Sequence, residues 1–360
     1  MNTELRSLTG VRAIAAIGVV VFHMVGQYPG SASHPFIGQG LHFGGDGVDL
    51  FFMLSGFILA YSYQSAFSNP GEKTYLTFLQ KRLARIFPAH AFALLLMLVL
   101  GLGLYRIGNP FFENNSLHNF LFQFFLISDW NPTKDAILSW NVPSWSISSE
   151  WLAYLLFPIL LYGIRRASRP LLIIIGFGLP FVMATSYAFG PANFGLIRIL
   201  CEFPAGIALY FLFENIRSST LISLWSWIGN AAALLYIVAG ITLGLLGLNV
   251  RWAVVLIPAV IISLALSTSP LAKILSSPLP VYLGRISYSL YITHYVILSA
   301  MRFLFIGTHS QKSNFTFFIL TIVEIIVIYI VAHATYQFIE VPGQKRWLGN
   351  ISRKNSKSAV

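Results

Sequence analysis

Arg12 and His23 stand near the two ends of one apolar run, Val11 to His23. If that run is helical, the two side chains lie about three turns apart on one face, roughly 16 Å along the axis. An ionisable group at membrane depth is costly and by default points to function. Histidine can act as a general base there, because its unperturbed pKa lies near neutrality. The plainer alternative is a histidine that hydrogen-bonds a neighbouring helix, and this residue alone leaves both readings open.

Other polar groups interrupt apolar runs in the same way. Asp49, in Gly44-Gly-Asp-Gly-Val-Asp-Leu-Phe-Phe-Met-Leu-Ser-Gly-Phe57, can orient a histidine and stabilise its protonated form, or serve as a first-turn acid favoured by the helix dipole. Asp46 reads as a solvated or capping acid. Ser55 and Gly56 permit close helix approach. Glu150, one turn beyond Ser146 in Asn141-Val-Pro-Ser-Trp-Ser-Ile-Ser-Ser-Glu150, is a candidate acid, base or hydroxyl ligand, or a structural hydrogen-bond hub. Ser287, Tyr291 and His294 fall at i, i+4 and i+7 on one helical face, with Arg285 at its edge. His294 is a second histidine for catalysis or for interhelical bonding. Arg82 and Arg85, three apart, present two guanidinium forks that suit phosphate. On spacing alone the plainer reading of that pair is a basic anchor beside a membrane span. Arg198 and Glu202, four apart, read as an ion pair. Cys201 packs as a small hydrophobe. His34, His42, His118 and His309 form no metal-ligand spacing, so no metal site is expected.

Helices in a bilayer must position these groups. The chain has 360 residues, 56% hydrophobic and 10% charged, with a mean hydropathy of +0.72. A soluble domain of this length needs more charge. The net charge of +11 belongs to a few short loops, which makes it a topology signal rather than a nucleic-acid surface. One cysteine permits no intrachain disulfide. No cleavable signal peptide is expected, and no Walker-type loop, Gly-x-Ser-x-Gly elbow or His-Glu-x-x-His motif is present.

Apolar runs near the ~20-residue spanning length predict an all-α, polytopic membrane protein of about ten spans. They fall at approximately 11–27, 46–66, 84–107, 145–164, 170–189, 195–213, 222–247, 252–268, 282–305 and 315–338. The segment 118–130 is apolar but short, and reads as interfacial or re-entrant. With the N-terminus inside, seventeen basic residues lie on the inner side and six on the outer, namely Arg106, Lys134, Arg198, Arg251, Arg302 and Lys312. The positive-inside rule then puts both termini in the cytoplasm. Residues 1–344 are expected to form the transmembrane domain and 345–360 a basic cytoplasmic tail.

Six segments, in this order, resemble the acyltransferase 3 family of integral-membrane acyltransferases. They are Leu8-Thr-Gly-Val-Arg12 with His23, Gly47-Val-Asp-Leu-Phe-Phe-Met-Leu-Ser-Gly-Phe57, Lys81-Arg-Leu-Ala-Arg85, Ser144-Trp-Ser-Ile-Ser-Ser-Glu150, Gly284-Arg-Ile-Ser-Tyr-Ser-Leu-Tyr-Ile-Thr-His294 and Phe338-Ile-Glu340-Val-Pro342. The resemblance runs from Leu5 to Trp347. It departs from the usual pattern around Ser149-Glu150-Trp151, where the family often has Val-Glu-Glu or Val-Glu-Phe.

The resemblance implies transfer of an acyl group, often acetyl, from cytoplasmic acyl-coenzyme A to a hydroxyl on a surface polysaccharide, a lipid-linked glycan or a secreted small molecule. It implies a multi-pass protein of the bacterial cytoplasmic (inner) membrane, with acyl-coenzyme A as donor substrate, no permanently bound cofactor, no nucleic-acid partner and the lipid bilayer as its surroundings. It marks Arg12, His23, Arg82 and Arg85 as functionally important. The expected mechanism then has Arg82, Arg85, Arg12 and Arg285 receiving the coenzyme A phosphates, His23 deprotonating the acceptor, and Asp49 or Glu150 orienting His23. A covalent acyl-histidine is the alternative route. The rival from another class is a transporter or flippase with Arg12, His23, Glu150 and His294 along an ion path and no chemistry.

Overall fold

The computed structural model describes residues 4–27, 36–68, 71–130, 137–186, 194–303 and 314–357. His34, His309, Lys134 and Lys312 lie outside them. Among the described residues there are helices and turns and no strand.

Among the described residues seven helices are long and apolar enough to cross a membrane. They run over Arg6–Gly26, Phe36–Tyr63, Lys73–Arg106, Ser144–Ile164, Gly195–Ile216, Ile222–Leu245 and Ile319–Gly349. Within the described residues each of the ten predicted spans falls mostly on helix, but three miss that standard. Arg169–Thr185 and Val250–Leu266 are apolar and short. Pro278–Met301 is long enough, and its arginine, serines, threonine and histidine lower its hydropathy.

The helices used below are α1 (Arg6–Gln27), α2 (Gly47–Tyr63), α3 (Glu72–Arg106), α4 (Leu117–Phe124), α5 (Ser144–Ile164), α6 (Phe194–Ile216), α7 (Ile222–Leu245), α8 (Ile257–Leu266), α9 (Pro278–Met301), α10 (Asn314–Thr335) and α11 (Val341–Lys357). The 118–130 segment consists of α4 and a single turn at Ser128–Trp130. At eight residues, α4 is about 12 Å long and cannot span. Beyond Lys345 the chain continues as helix to Lys357.

The chain divides into two compact units, one from residues 1–69 and 155–287, the other from 70–154 and 288–360. In the first, small residues let backbones touch. A side chain at Gly56 of α2 would strike the Phe203 carbonyl of α6, and one at Gly206 of α6 would strike the Met53 carbonyl. That close crossing brings the head of α2 beside α6. Phe57, Phe203 and Tyr210 are buried around it. At the start of α1, Ser7 donates to the Leu264 carbonyl at 2.6 Å. A tight 3₁₀ stretch, Val250–Leu256, leads into α8, with the Asn249 side chain accepting from the Arg251 backbone N–H at 3.1 Å.

In the second unit α3 is 35 residues long with Pro88 inside it. The 22 residues from Arg85 to Arg106 cover about 32 Å, close to a bilayer's hydrocarbon thickness. Gly343 lies against the Pro88 ring, where a side chain would collide. The Phe87 ring packs edge-on against both Phe124 and Trp347.

Candidate active site

His23 lies in the last two turns of α1 and is half-buried. Its Nδ1 is 3.0 Å from the Val19 carbonyl. A carbonyl only accepts, so Nδ1 carries the hydrogen and Nε2 holds the lone pair. The ring's orientation is thus set from its own helix. The Phe22 ring lies edge-on to it, and edge-on to His42, with centroids 5.1 Å apart in each case. Arg12 is half-buried lower on α1.

Asp49 is fully buried in the first turn of α2. Both its oxygens face Arg198 of α6, Oδ1 at 3.0 Å from Nε and Oδ2 at 2.5 Å from Nη2. Spacing along the helix pairs Arg198 with Glu202. Glu202 is also buried and lies beside Asp49. Asp46 corrects its expectation as a solvated or capping acid. It is 1% exposed, its side chain makes no cap hydrogen bond, and it lies 3.5 Å from Arg251 Nη1. That arginine also approaches Asp49, at 3.8 Å. Apolar helices cannot leave such charges unpaired, which draws the five groups together. Arg198 and Arg251, counted among the outer-side basic residues, are therefore partners inside the protein. Arg285 is exposed and pairs with Glu4 at 3.0 Å.

In the second unit Arg82 and Arg85 lie on α3, both half-buried. Arg85 pairs with the fully buried Glu340, which closes a π-helical turn at Tyr336–Glu340. Ser289 of α9 donates to the other Glu340 oxygen at 2.6 Å. The Arg85 guanidinium also lies over the Tyr288 ring, 5.7 Å from its centroid, and the Tyr288 hydroxyl donates to the Ile86 carbonyl at 2.5 Å. Arg82 lies over Phe78 at 6.0 Å.

The predicted face of α9 is present, with Ser287, Tyr291 and His294 all buried. The Tyr291 hydroxyl lies 2.7 Å from Ser146 Oγ of α5. His294 Nδ1 donates to the Tyr291 carbonyl at 2.7 Å, so it has the same tautomer as His23. Glu150, one turn beyond Ser146, is half-buried. Ser149 donates to Asp129, which places the short 128–130 turn against α5.

Three further side chains beside these groups, Arg251, Glu340 and His90, are given no role by the sequence pattern. His90 is fully buried and donates through Nε2 to the Gln123 carbonyl at 2.8 Å. Its place eight residues after Arg82, on the same helix, was the available signal. Among the described residues no three His, Cys, Asp or Glu side chains could hold a metal ion together.

Apolar helices of spanning length, carrying histidines of fixed tautomer and arginine–carboxylate pairs, describe an integral membrane protein. The chain belongs to the acyltransferase 3 family, whose model, described as an acyltransferase domain, matches residues 5–333. It is 27% identical to the acyltransferase MdmB of Streptomyces mycarofaciens, over 82% of this chain and 79% of that protein. It is 24% identical to a putative O-acetyltransferase of Staphylococcus aureus strain MRSA252, over 97% of this chain. It is 25% identical to the O-acetyltransferase OatA of Staphylococcus aureus strain NCTC 8325, over 95%. The alignments span 59% and 57% of those two staphylococcal proteins. No solved structure matches the chain.

Proposed function

We propose that this membrane acyltransferase moves an acyl group, acetyl in the first instance, from cytoplasmic acyl-coenzyme A to a sugar hydroxyl of a surface or lipid-linked glycan. Family membership and relatives named as O-acetyltransferases support the transfer. The observation that carries the chemistry is the fixed tautomer of His23, with Nδ1–H held by Val19 and Nε2 bearing the lone pair. Nε2 removes the proton from the acceptor hydroxyl as its oxygen attacks the thioester carbonyl. The tetrahedral intermediate expels the coenzyme A thiolate, and the proton passes from the imidazolium to that sulfur. Arg82 and Arg85 of the second unit are suited to the donor's phosphates, as are Arg12 and Arg285 of the first. Glu150, His294 and the hydroxyls of Ser146 and Tyr291 are the groups suited to sugar hydroxyls. The same residues accommodate an acyl-histidine step.

Membrane vesicles given acetyl-coenzyme A labelled in its acetyl group test this reading. Coenzyme A release with label appearing in glycan or glycolipid is the expected result. Movement of substrate across the membrane with no coenzyme A released would instead identify a transporter. Donor on the cytoplasmic face and glycan on the outer face should suffice for transfer. A requirement that both share the cytoplasmic face would overturn the transmembrane form of the reading and leave the acyltransferase assignment intact.

A further inference from the structure

The first unit buries three carboxyl groups, Asp46, Asp49 and Glu202, beside the buried Arg198 and the half-buried Arg251. A buried ion pair is a weak source of stability, because desolvation offsets most of the attraction. What a two-point Arg–carboxylate contact supplies well is a fixed distance and angle. Arg198 makes that contact with Asp49, at 3.0 and 2.5 Å. Asp49 opens α2 directly after the tight turn His42–Asp46. That turn is also held by Arg251 through Asp46 and by the Tyr236 hydroxyl, which donates to the Phe43 carbonyl at 3.4 Å.

The far side of the turn is the seat of α1. A side chain at Gly44 would strike the Gly18 carbonyl, one at Gly47 would strike the Ala15 carbonyl, and one at Gly45 would touch the Phe22 ring. Phe22 in turn lies edge-on to His23. Arg198 is therefore joined to His23 by an unbroken series of contacts through Asp49, the glycine turn and Phe22.

We propose that Arg198 is a positioning residue for acyl transfer: its grip on Asp49 fixes the glycine turn against which the His23 end of α1 is seated. The proposal rests on the reading of His23 as the base. A displacement of about 1 Å at a reacting group can cost about 100-fold in rate, so loss of the fork should lower kcat and leave donor binding, assigned to other arginines, in place.

The test uses the full-length protein in membrane vesicles with acetyl-coenzyme A as the probe. It compares Arg198→Lys, Arg198→Gln and the neutral pair Asp49→Asn/Arg198→Gln. Coenzyme A release gives kcat and KM. Modification by diethyl pyrocarbonate, mapped to His23 by mass spectrometry, reports the ring's surroundings. Arg198→Lys keeps the charge and loses the fork, so it remains folded if the single neutral variant does not. Its kcat should fall about 10- to 100-fold with KM for acetyl-coenzyme A unchanged, and His23 should be modified faster. The neutral pair should recover turnover above Arg198→Gln, because no charge of the pair is left unmatched.

Normal kcat and normal His23 reactivity in Arg198→Lys would overturn the proposal, as would a neutral pair no better than the single variant. His23→Ala is run alongside. Lost turnover there with normal turnover in Arg198→Lys overturns this proposal alone, whereas retained turnover in His23→Ala overturns the assigned base and this proposal with it.

Discussion

A histidine four residues past a helical carbonyl can use its own backbone to settle which nitrogen is basic. His23 does so with Val19, and His294 with Tyr291 three residues back. Neither contact needs a carboxylate at Nδ1, and Asp49 turns to Arg198 instead. His23→Ala should lower acyl transfer by about 10²–10⁴-fold, the usual cost of losing a general base, while the protein still inserts and folds. Coenzyme A release from vesicles measures it, and near-normal turnover would move the role to His294. Arg82→Ala/Arg85→Ala should weaken coenzyme A binding in detergent more than it slows the bound complex, with Lys an imperfect substitute because it lacks the planar fork. Calorimetric affinity equal to wild type would make the pair a topology anchor. His23, Glu150 and His294 were legible in the sequence because each interrupts an apolar run. The partners were not. Glu340 reaches Arg85 from across most of the chain, and Arg198 reaches Asp49 across 149 positions. Spacing along one helix, which suggested Arg198 with Glu202, carries no information about a second helix.

At the scale of elements, the α2–α6 crossing decides whether Asp49 and Arg198 meet. Gly56 and Gly206 each face a backbone carbonyl of the opposite helix, so the helices touch without intervening side chains. Gly56→Leu should force them apart, at a cost of at least about 1–3 kcal/mol for overpacking, and separate the ion pair. Reduced thermal stability in detergent together with lost turnover is the expected result, and an unchanged unfolding midpoint with full activity would count against the crossing. Ser55 and Gly56 announced a close approach in the sequence, while its partner, Gly206, carried no such mark. Helix itself was the most legible feature, because apolar runs of spanning length leave the backbone only one way to satisfy its own hydrogen bonds in lipid. The two-unit division was not legible. Each unit is assembled from separate stretches of chain, and no composition change marks residues 69, 154 or 287.

For the whole molecule, an orientation with both termini inside, as the basic residues predict, would make residues 67–83, which include the first turns of α3, cytoplasmic. On a Cys201→Ser background, single cysteines at those positions should resist an impermeant thiol reagent added outside intact cells. Labelling there would reverse the topology. Arg198 and Arg251 on the outer side and Arg85 on the inner side are committed to buried acids, which leaves sixteen basic residues against four in the count behind this expectation.

Arg251 also lies in the 3₁₀ stretch that opens the short Val250–Leu266 run. Wound entirely as α-helix, those seventeen residues would reach about 26 Å. Seven of them are 3₁₀, rising about 2.0 Å each, and the whole then reaches about 29 Å. Tighter winding gives a segment too short for a membrane nearly the thickness of the hydrocarbon layer. It leaves little slack, so turnover measured in bilayers of increasing acyl-chain length should fall once the hydrocarbon layer exceeds that reach. If turnover is indifferent to chain length, this run does not set the match between protein and membrane.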